Sequence, residues 1–393
     1  MRLLEHQSKR LLAEFGLSFT TATVVESADA AGDSAATLGG PVVLKAQVPF
    51  GGRGKAGAVK VADTPGAARA AAAALLEMTL RGHRVTAVSV EPKVSIRREL
   101  YAGAAWDTSA KLPVALLSAA GGVDVESAAD VARRTFDPSR GLPAAEGRDM
   151  AASLGLSGKI ASDLGAILEK LSQAFIACDG ITVEINPLAE TFDGTLIGLD
   201  ARVEIDDDAA GRQKERLGAL GPIPQGGTGR EATPLEIEAQ RVDAMDHRGV
   251  AGRLVEFDGD LALLIGGGGA SLTVFDAIRR HGGHPANYCE VGGNPTEEKV
   301  ASLTALLLGK PGVRKLAVIM NVVNNTRADV MARGVLMGLE KAGRSAADTI
   351  AVFRIPGSWE QEARELMAGA GVTALGREVS LDEAARRAVN HAA

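Results

Sequence analysis

The stretch Leu261–Val300 reads LALLIGGGGASLTVFDAIRRHGGHPANYCEVGGNPTEEKV, and it decides the fold class of the last third of the chain. A strand-length apolar run, Leu261–Ile265, meets the glycines Gly266–Gly269 and then a helical pattern at Ser271–His281. A second apolar run at Ala286–Val291 precedes a second helix at Pro295–Leu308. The alternation continues with strands at Leu316–Val323, Thr349–Ile355 and Val372–Leu375 and helices near Arg327–Ala342, Trp359–Ala370 and Asp382–His391. Apolar strands separated by helices predict a parallel sheet covered on both faces. Loops after such strands gather at one sheet edge, where ligands bind. Here they are Gly266–Gly269, Gly292–Asn294, Asn324–Arg327 and Pro356–Ser358. Three of the four could turn helix N-termini and bare amides toward an anion.

Upstream, residues 206–233 read DDDAAGRQKERLGALGPIPQGGTGREAT. Rich in Gly, Pro and charge, this segment cannot bury enough apolar surface to order itself alone, which predicts a connecting arm. The domains expected are therefore 1–205, an arm at 206–233, and 234–393. The first half reads as α+β. A helix burying Leu4, Leu11, Leu12 and Phe15 stops at Gly16, and its polar positions carry Glu5, Lys9 and Arg10. Strands follow around Thr21–Val25, Val42–Gln47, Ala58–Val61, Val85–Glu91, Glu99–Ala105 and Val114–Ser118, with helices near Ala67–Arg81, Val125–Arg134 and Leu164–Cys178.

The 393 residues, 46% hydrophobic and 23% charged, suit a globular protein of two or three domains. A formal net charge of -6 argues against nucleic acid as a partner, because backbone binding needs a basic face. Acidity does not exclude phosphorylated ligands, which local amides can hold. Cys178 and Cys289 alone rule out a disulfide framework or a four-cysteine zinc site. No apolar run is long enough to span a bilayer, and the N-terminus lacks a signal-peptide core; the expected location is cytoplasmic.

Four motifs carry candidate chemistry. The loop Gly51-Gly52-Arg53-Gly54-Lys55-Ala56-Gly57 follows the strand bearing Lys45. Its glycines allow close backbone approach and its cations suit phosphate, although a solvated hairpin loop has the same composition. It is not a Walker loop, since no Lys-Ser/Thr follows and a strand comes next. In ITVEINPLAETFDGTLIGLD, two alternating segments flank Asp193-Gly194. With a three-residue loop Asn186 falls opposite Asp200 on one face, where an amide oxygen and a carboxylate suit Mg²⁺. With a two-residue loop they fall on opposite faces. Glu91 and Glu99 end strands and could accept from a base or ribose, or be solvated. Asn294-Pro295-Thr296-Glu297 predicts Asn294 as N-cap, Pro295 at N1 and Glu297 at N3, with Gly292 and Gly293 beside the helix dipole. Gly266–Gly269 is only a partial dinucleotide fingerprint, because Ser271 replaces the third glycine.

Taken in order, LLEHQSKRLLAEFG, VVLKAQVPFGGRGKAGAVKV, RELYAGAAWD, ITVEINPL, GTLIGLD and HGGHPANYCEVGGNPTEEKV resemble the β subunit of succinate–CoA ligase, in the ATP-grasp superfamily, from end to end. The resemblance implies an α/β chain, an N-terminal ATP-grasp domain followed by a flavodoxin-like parallel β/α domain. It implies the reaction acid + CoA + ATP = acyl-CoA + ADP + phosphate, through an acyl phosphate. It further implies an α subunit that carries the CoA-binding domain and a phosphorylated histidine. Lys45, Arg53, Gly54 and Lys55 match the nucleotide-phosphate segment, Glu91 and Glu99 the acids near base and ribose, and Asn186 and Asp200 the Mg²⁺ ligands. Glu184 matches a glutamate that assists histidine phosphorylation. Gly292, Gly293 and the helix from Asn294 match the helix facing the phosphohistidine.

The chain departs from its family where the acid is held. Relatives carry Asn-x-Phe-Gly-Gly-Ile-x-Arg-Cys-Asp; this chain has Asn321-Val-Val-Asn324-Asn325-Thr326-Arg327-Ala328-Asp329. Where they have Asn-Gly-Ala-Gly, it has Gly266-Gly267-Gly268-Gly269. Ala120 also stands where relatives have Glu. Side-chain amides in place of glycine amides favour a different carboxylic acid, one bearing an extra polar group. The alternatives are a citrate- or malate-type CoA ligase subunit, an ATP-grasp carboxylate ligase acting alone, or a nucleotide-binding regulatory subunit.

Overall fold

A computed structural model describes residues 1–122, 130–223 and 232–392. The chain divides into two compact units, Met1–Glu231 and Ala232–Ala393.

The first unit is built on two antiparallel sheets. The smaller has the strand order Thr23–Val25, Val88–Pro92, Val42–Ala46, Val59–Ala62. Helices Ala28–Leu38 and Pro65–Leu76 pack on one face, each started by a hydroxyl cap, Ser27 or Thr64. Strand alternation sends Val42, Leu44 and Ala46 into that core and turns Val43 and Lys45 to the other face. Val43 pairs with Glu91 on one side and Val61 on the other, so all three share the uncovered face. The larger sheet runs Leu196–Gly198, Gly180–Thr191, Ile96–Asp107, Leu112–Ser118, Val131–Thr135, and Ala201–Ile205 also pairs with Gly180–Thr191. Helices Glu5–Ala13, Ala144–Ser153 and Lys159–Ala177 supply its core, with Leu11, Leu12, Leu164, Leu168 and Phe175 buried.

Two readings of this half are corrected. The helix expected at Val125–Arg134 is a strand over Val131–Thr135, paired antiparallel with Val114–Ser118; residues 123–129 lie outside the described residues. Sheet pairing overrides local propensity there. The expected arm is ordered over 207–220, as a short 3-10 turn at Asp207–Ala209 and a helix at Lys214–Ala219. Ala209, Leu217 and Leu220 are buried against the first unit, and Gln7 donates to the carbonyls of Leu220 and Pro222. That segment borrows a core it could not form alone; residues 224–231 lie outside the described residues.

The second unit is a six-stranded sheet ordered Val250–Glu256, Asn287–Gly292, Leu261–Gly266, Lys315–Met320, Ile350–Arg354, Ala374–Leu375. The last five are mutually parallel, and Val250–Glu256 closes one edge antiparallel. Numbered along the chain, the parallel strands follow the order 2-1-3-4-5 of flavodoxin-like sheets. Their switch point lies between Leu261–Gly266 and Lys315–Met320. Five helices, Gly269–Arg280, Glu297–Leu308, Ala328–Lys341, Glu360–Gly369 and Leu381–Ala392, cover both faces as expected. The edge strand and the helix Pro234–Asp243 beside it were not read from the sequence. No helix of the described residues is long and apolar enough to cross a membrane.

Candidate functional site

A cavity of about 1240 Å³ lies between the two sheets of the first unit. Eight basic side chains line it, Arg2, Lys45, Arg53, Lys55, Arg81, Lys93, Arg133 and Arg202, against the four acids Glu91, Glu99, Glu184 and Asp200. In a chain of net charge -6 this is a local reversal of sign, the footprint of an anionic ligand. Val43, Val61 and Ile96 line it too, and Val61 keeps 55% of its surface open. A face of this kind suits a flat apolar group beside a charged one.

Lys45 and Arg53 are both buried at the cavity wall. Lys45 Nζ donates to Glu5 Oε1 (2.9 Å), Glu91 Oε2 (3.1 Å) and the Leu199 carbonyl. Burial alone would push this ammonium down, but Glu5, Glu91 and Asp200 hold it above its ordinary range. The Arg53 guanidinium spans Glu5 and Asp200 and donates to the Ala46 carbonyl. Gly54 and Lys55 remain exposed in the loop.

The hairpin has the three-residue loop. Gly194 adopts φ +80°, Thr191 N–H donates to the Thr195 carbonyl, and Leu188, Ala189 and Glu190 pair with Gly198, Ile197 and Leu196. The register carries through to Glu184 opposite Arg202. Asn186 therefore faces Asp200, and Asn186 N–H donates to the Asp200 carbonyl at 3.1 Å. Both side chains line the cavity. Asn186 Oδ1 accepts from Gly122 N–H (2.7 Å), and its amide nitrogen returns a bond to the Gly122 carbonyl. Glycine is required here: Gly122 has φ +90°, and a Cβ would lie 2.5 Å from Glu99 Oε2. The Asp200 carboxyl keeps 32% of its side-chain surface open, and burial followed by the Glu5 charge pushes it up, against Arg53 and Lys45. No group of three or more His, Cys, Asp or Glu able to hold a metal occurs among the described residues. A pair of hard oxygen donors fits Mg²⁺, which keeps several waters and draws its remaining ligands from phosphates.

Glu184 accepts from Tyr101 Oη at 3.2 Å and from Arg202 Nη1 at 3.4 Å. Burial and the Glu184 charge raise the Tyr101 phenol well above its usual range. Arg202 continues through Glu204 to Arg2, a chain of alternating charge along the cavity wall. Glu99 is half-buried at the cavity, but Glu91 is not the open acceptor expected. It is 2% exposed, and Lys9, Thr20, Lys45 and Ser89 already donate to its two oxygens. Sequence reasoning missed Glu5, Lys9, Tyr101 and Arg202. A Glu–Lys pair four apart on a short helix reads as a solvated pair, and only the tertiary fold buries it.

In the second unit the sheet-edge loops interlock. Asn294 N–H donates to Thr326 Oγ1 (3.3 Å), and Arg327 N–H donates to Asn294 Oδ1 (3.4 Å). Val323 exchanges backbone hydrogen bonds with Pro356 and Ser358. Gly268 N–H donates to Glu290 Oε1 (2.8 Å), and Gly267 (φ +108°) lies against Asn321, where a Cβ would meet the Asn321 Cβ at 2.6 Å. The Arg327 guanidinium stacks 3.9 Å above the Trp359 ring and forks onto Asp329. Asn324 and Asn325 stand exposed. The helix expected from Asn294 begins instead at Glu297, capped by Thr296 Oγ1 on Lys299 N–H. Asn294 has φ +57°, outside the extended conformation of the Thr296 cap, and its side chain ties the two loops instead.

Residues 2–190 match the family model described as ATP-grasp domain, and residues 230–375 the one described as ATP citrate lyase citrate-binding. The ADP-forming succinate–CoA ligase subunit β of Rubrobacter xylanophilus is 37% identical, covering 99% of this chain and 98% of that protein. The chain belongs to the succinate–CoA ligase β-subunit family. The GDP-forming succinate–CoA ligase subunit β of Thermus thermophilus is 35% identical over 94% of each chain. Among solved structures, ATP citrate lyase from Methanothrix soehngenii in complex with citrate and coenzyme A superposes with a TM-score of 0.76, covering 99% of each chain. At 20% identity that likeness shows the fold. The succinate–CoA ligase β-subunit family places this chain among nucleotide-dependent acid–thiol ligases.

Proposed function

We propose that this chain is the nucleotide-binding subunit of an ADP-forming acid–CoA ligase, working with a separate α subunit that carries the CoA-binding domain and a phosphorylated histidine. The observation that carries this reading is the cavity of the first unit, where eight basic side chains surround the facing pair Asn186 and Asp200. Lys45, Arg53 and Lys55 bind the phosphates of ATP, and the valine-lined face takes the base. Magnesium held by Asn186 and Asp200 would screen the phosphate charge. Glu184, steadied by Tyr101 and Arg202, orients and deprotonates the partner's imidazole as phosphate arrives. The phosphorylated histidine then passes its phosphoryl group to the acid's carboxylate at the loops of the second unit, which frees the imidazole, and the CoA thiol displaces phosphate from the resulting acyl phosphate.

The acid is a carboxylic acid with a polar group beyond those of succinate. Support comes from Asn324 and Asn325, exposed side-chain amides where relatives have glycines, and from the match of residues 230–375 to a citrate-binding model. That match also favours a second reading, a citrate- or malate-type ligase subunit. The test is ATP-dependent thioester formation by this chain co-expressed with its α subunit, across mono-, di- and tricarboxylic acids. Activity that needs both subunits and collapses in Asp200→Ala supports the ligase reading. A wide preference for succinate sinks the substrate assignment, and no thioester with normal Mg-nucleotide binding returns the chain to a regulatory role.

A further inference from the structure

The first turn of the N-terminal helix buries a carboxylate behind the wall of the nucleotide cavity, against two cations that line it. Glu5 is 3% exposed and touches three cations drawn from three segments. Its Oε1 accepts from Lys45 Nζ at 2.9 Å and lies 2.7 Å from Lys9 Nζ, while Oε2 lies 2.6 Å from Arg53 Nη1. The Arg53 contact is an ion pair without an aligned hydrogen bond, since Glu5 Oε2 and Arg53 Nε are both buried without a hydrogen-bond partner. Burial would raise the Glu5 carboxyl, but Arg53, Lys45 and Lys9 hold it well below the usual range, so it stays ionised.

Lys45 sits on a strand and Arg53 in the glycine loop, and like charges drive the two apart. One carboxylate reaching both, anchored on a buried helical turn, sets their separation. We propose that Glu5 is a positioning residue, holding Lys45 and Arg53 at the spacing at which both meet the phosphates of one bound nucleotide. This rests on the cavity being the nucleotide site.

The sign of the effect separates this role from two others. A carboxylate that merely neutralised the cations would weaken phosphate binding, so its removal would tighten it. One that merely held the fold together would change the melting temperature and leave the affinity of the folded protein alone. Calorimetric titration of Mg-ADP into the full chain, with thermal melts, compares the wild type with Glu5→Gln and Glu5→Asp. The expected result is a Kd raised about tenfold in Glu5→Gln, the usual scale for a loosened supporting contact. Glu5→Asp, one methylene too short to bridge both cations, gives a smaller rise. An unchanged or lower Kd in folded Glu5→Gln overturns the proposal. Should Glu5→Gln fail to fold, wild-type affinity in folded Glu5→Asp overturns it equally. Failure of the wild type to bind Mg-ADP removes the nucleotide reading and this inference together, whereas wild-type binding matched by both variants removes the inference alone.

Discussion

Arg53 and Asp200, 147 residues apart in sequence, form an ion pair at the wall of the first unit's cavity, a candidate phosphate ligand resting on a candidate metal ligand. The two charges hold each other until a ligand supplies replacements: a cation for Asp200 and phosphate oxygens for Arg53. On the proposed reading, metal and nucleotide then bind more favourably together than singly, because each releases the partner the other needs.

The first prediction concerns that exchange. Arg53→Met leaves Asp200 open, so Mn²⁺ binds the nucleotide-free chain several-fold more tightly than it binds the wild type. Electron paramagnetic resonance of free Mn²⁺ reads this directly, and Asp200→Asn in the same background abolishes the gain. Equal Mn²⁺ affinity in wild type and Arg53→Met would show that the pair is no latch.

On the proposed reading, Arg202 separates binding from phosphoryl transfer. It pairs in register with Glu184 and reaches it through Nη1, so Arg202→Gln leaves Glu184 held by Tyr101 alone. Phosphorylation of the α subunit by ATP slows about 10- to 100-fold, the usual scale for loss of an orienting partner, with a smaller change in nucleotide affinity. Arg202→Lys restores part of the rate. A loss confined to nucleotide affinity would contradict this role.

On the proposed reading, the pair Asn324 and Asn325 controls acid choice. Restoring glycines in Asn324→Gly/Asn325→Gly returns backbone amides to the loop and moves kcat/KM toward succinate by about tenfold relative to the preferred acid, or ~1.4 kcal/mol. Competition assays with both acids present measure the ratio, and no movement in it places selectivity elsewhere.

Asp329 makes the second unit sensitive to acid. Its carboxyl is 3% exposed; burial pushes it up, but hydrogen bonds from Arg327 and Arg333 bring it down to about 2. A carboxylate depressed in the folded state stabilises it above the ordinary value of 3.8, and that stability is lost as pH falls through about 2. Asp329→Asn is therefore less stable than wild type at neutral pH, by about 1–3 kcal/mol given its half-exposed arginine partners. The gap closes between about pH 4 and pH 2. Paired calorimetric scans across that range check it, and a constant gap would point to packing instead.

The amino-acid sequence by itself determined the parallel sheet of the second unit. Its central strands, Leu261–Gly266 and Lys315–Met320, are apolar runs buried on both faces, a signal carried within a few neighbouring residues. It also determined the facing of Asn186 and Asp200 once a three-residue turn was assumed, because strand register follows from counting. The helix start at Thr296 was misplaced by two residues, since Asn, Pro and Glu satisfy a capping pattern whichever way the Asn294 backbone turns. Only the tertiary structure decided the charge network. Glu5, Lys9, Lys45, Arg53, Glu91 and Asp200 come from five separate segments, and the closeness of any two depends on how helix, sheets and loop pack. A charge in sequence has no address in space until burial strips its water and leaves another charge as its only partner.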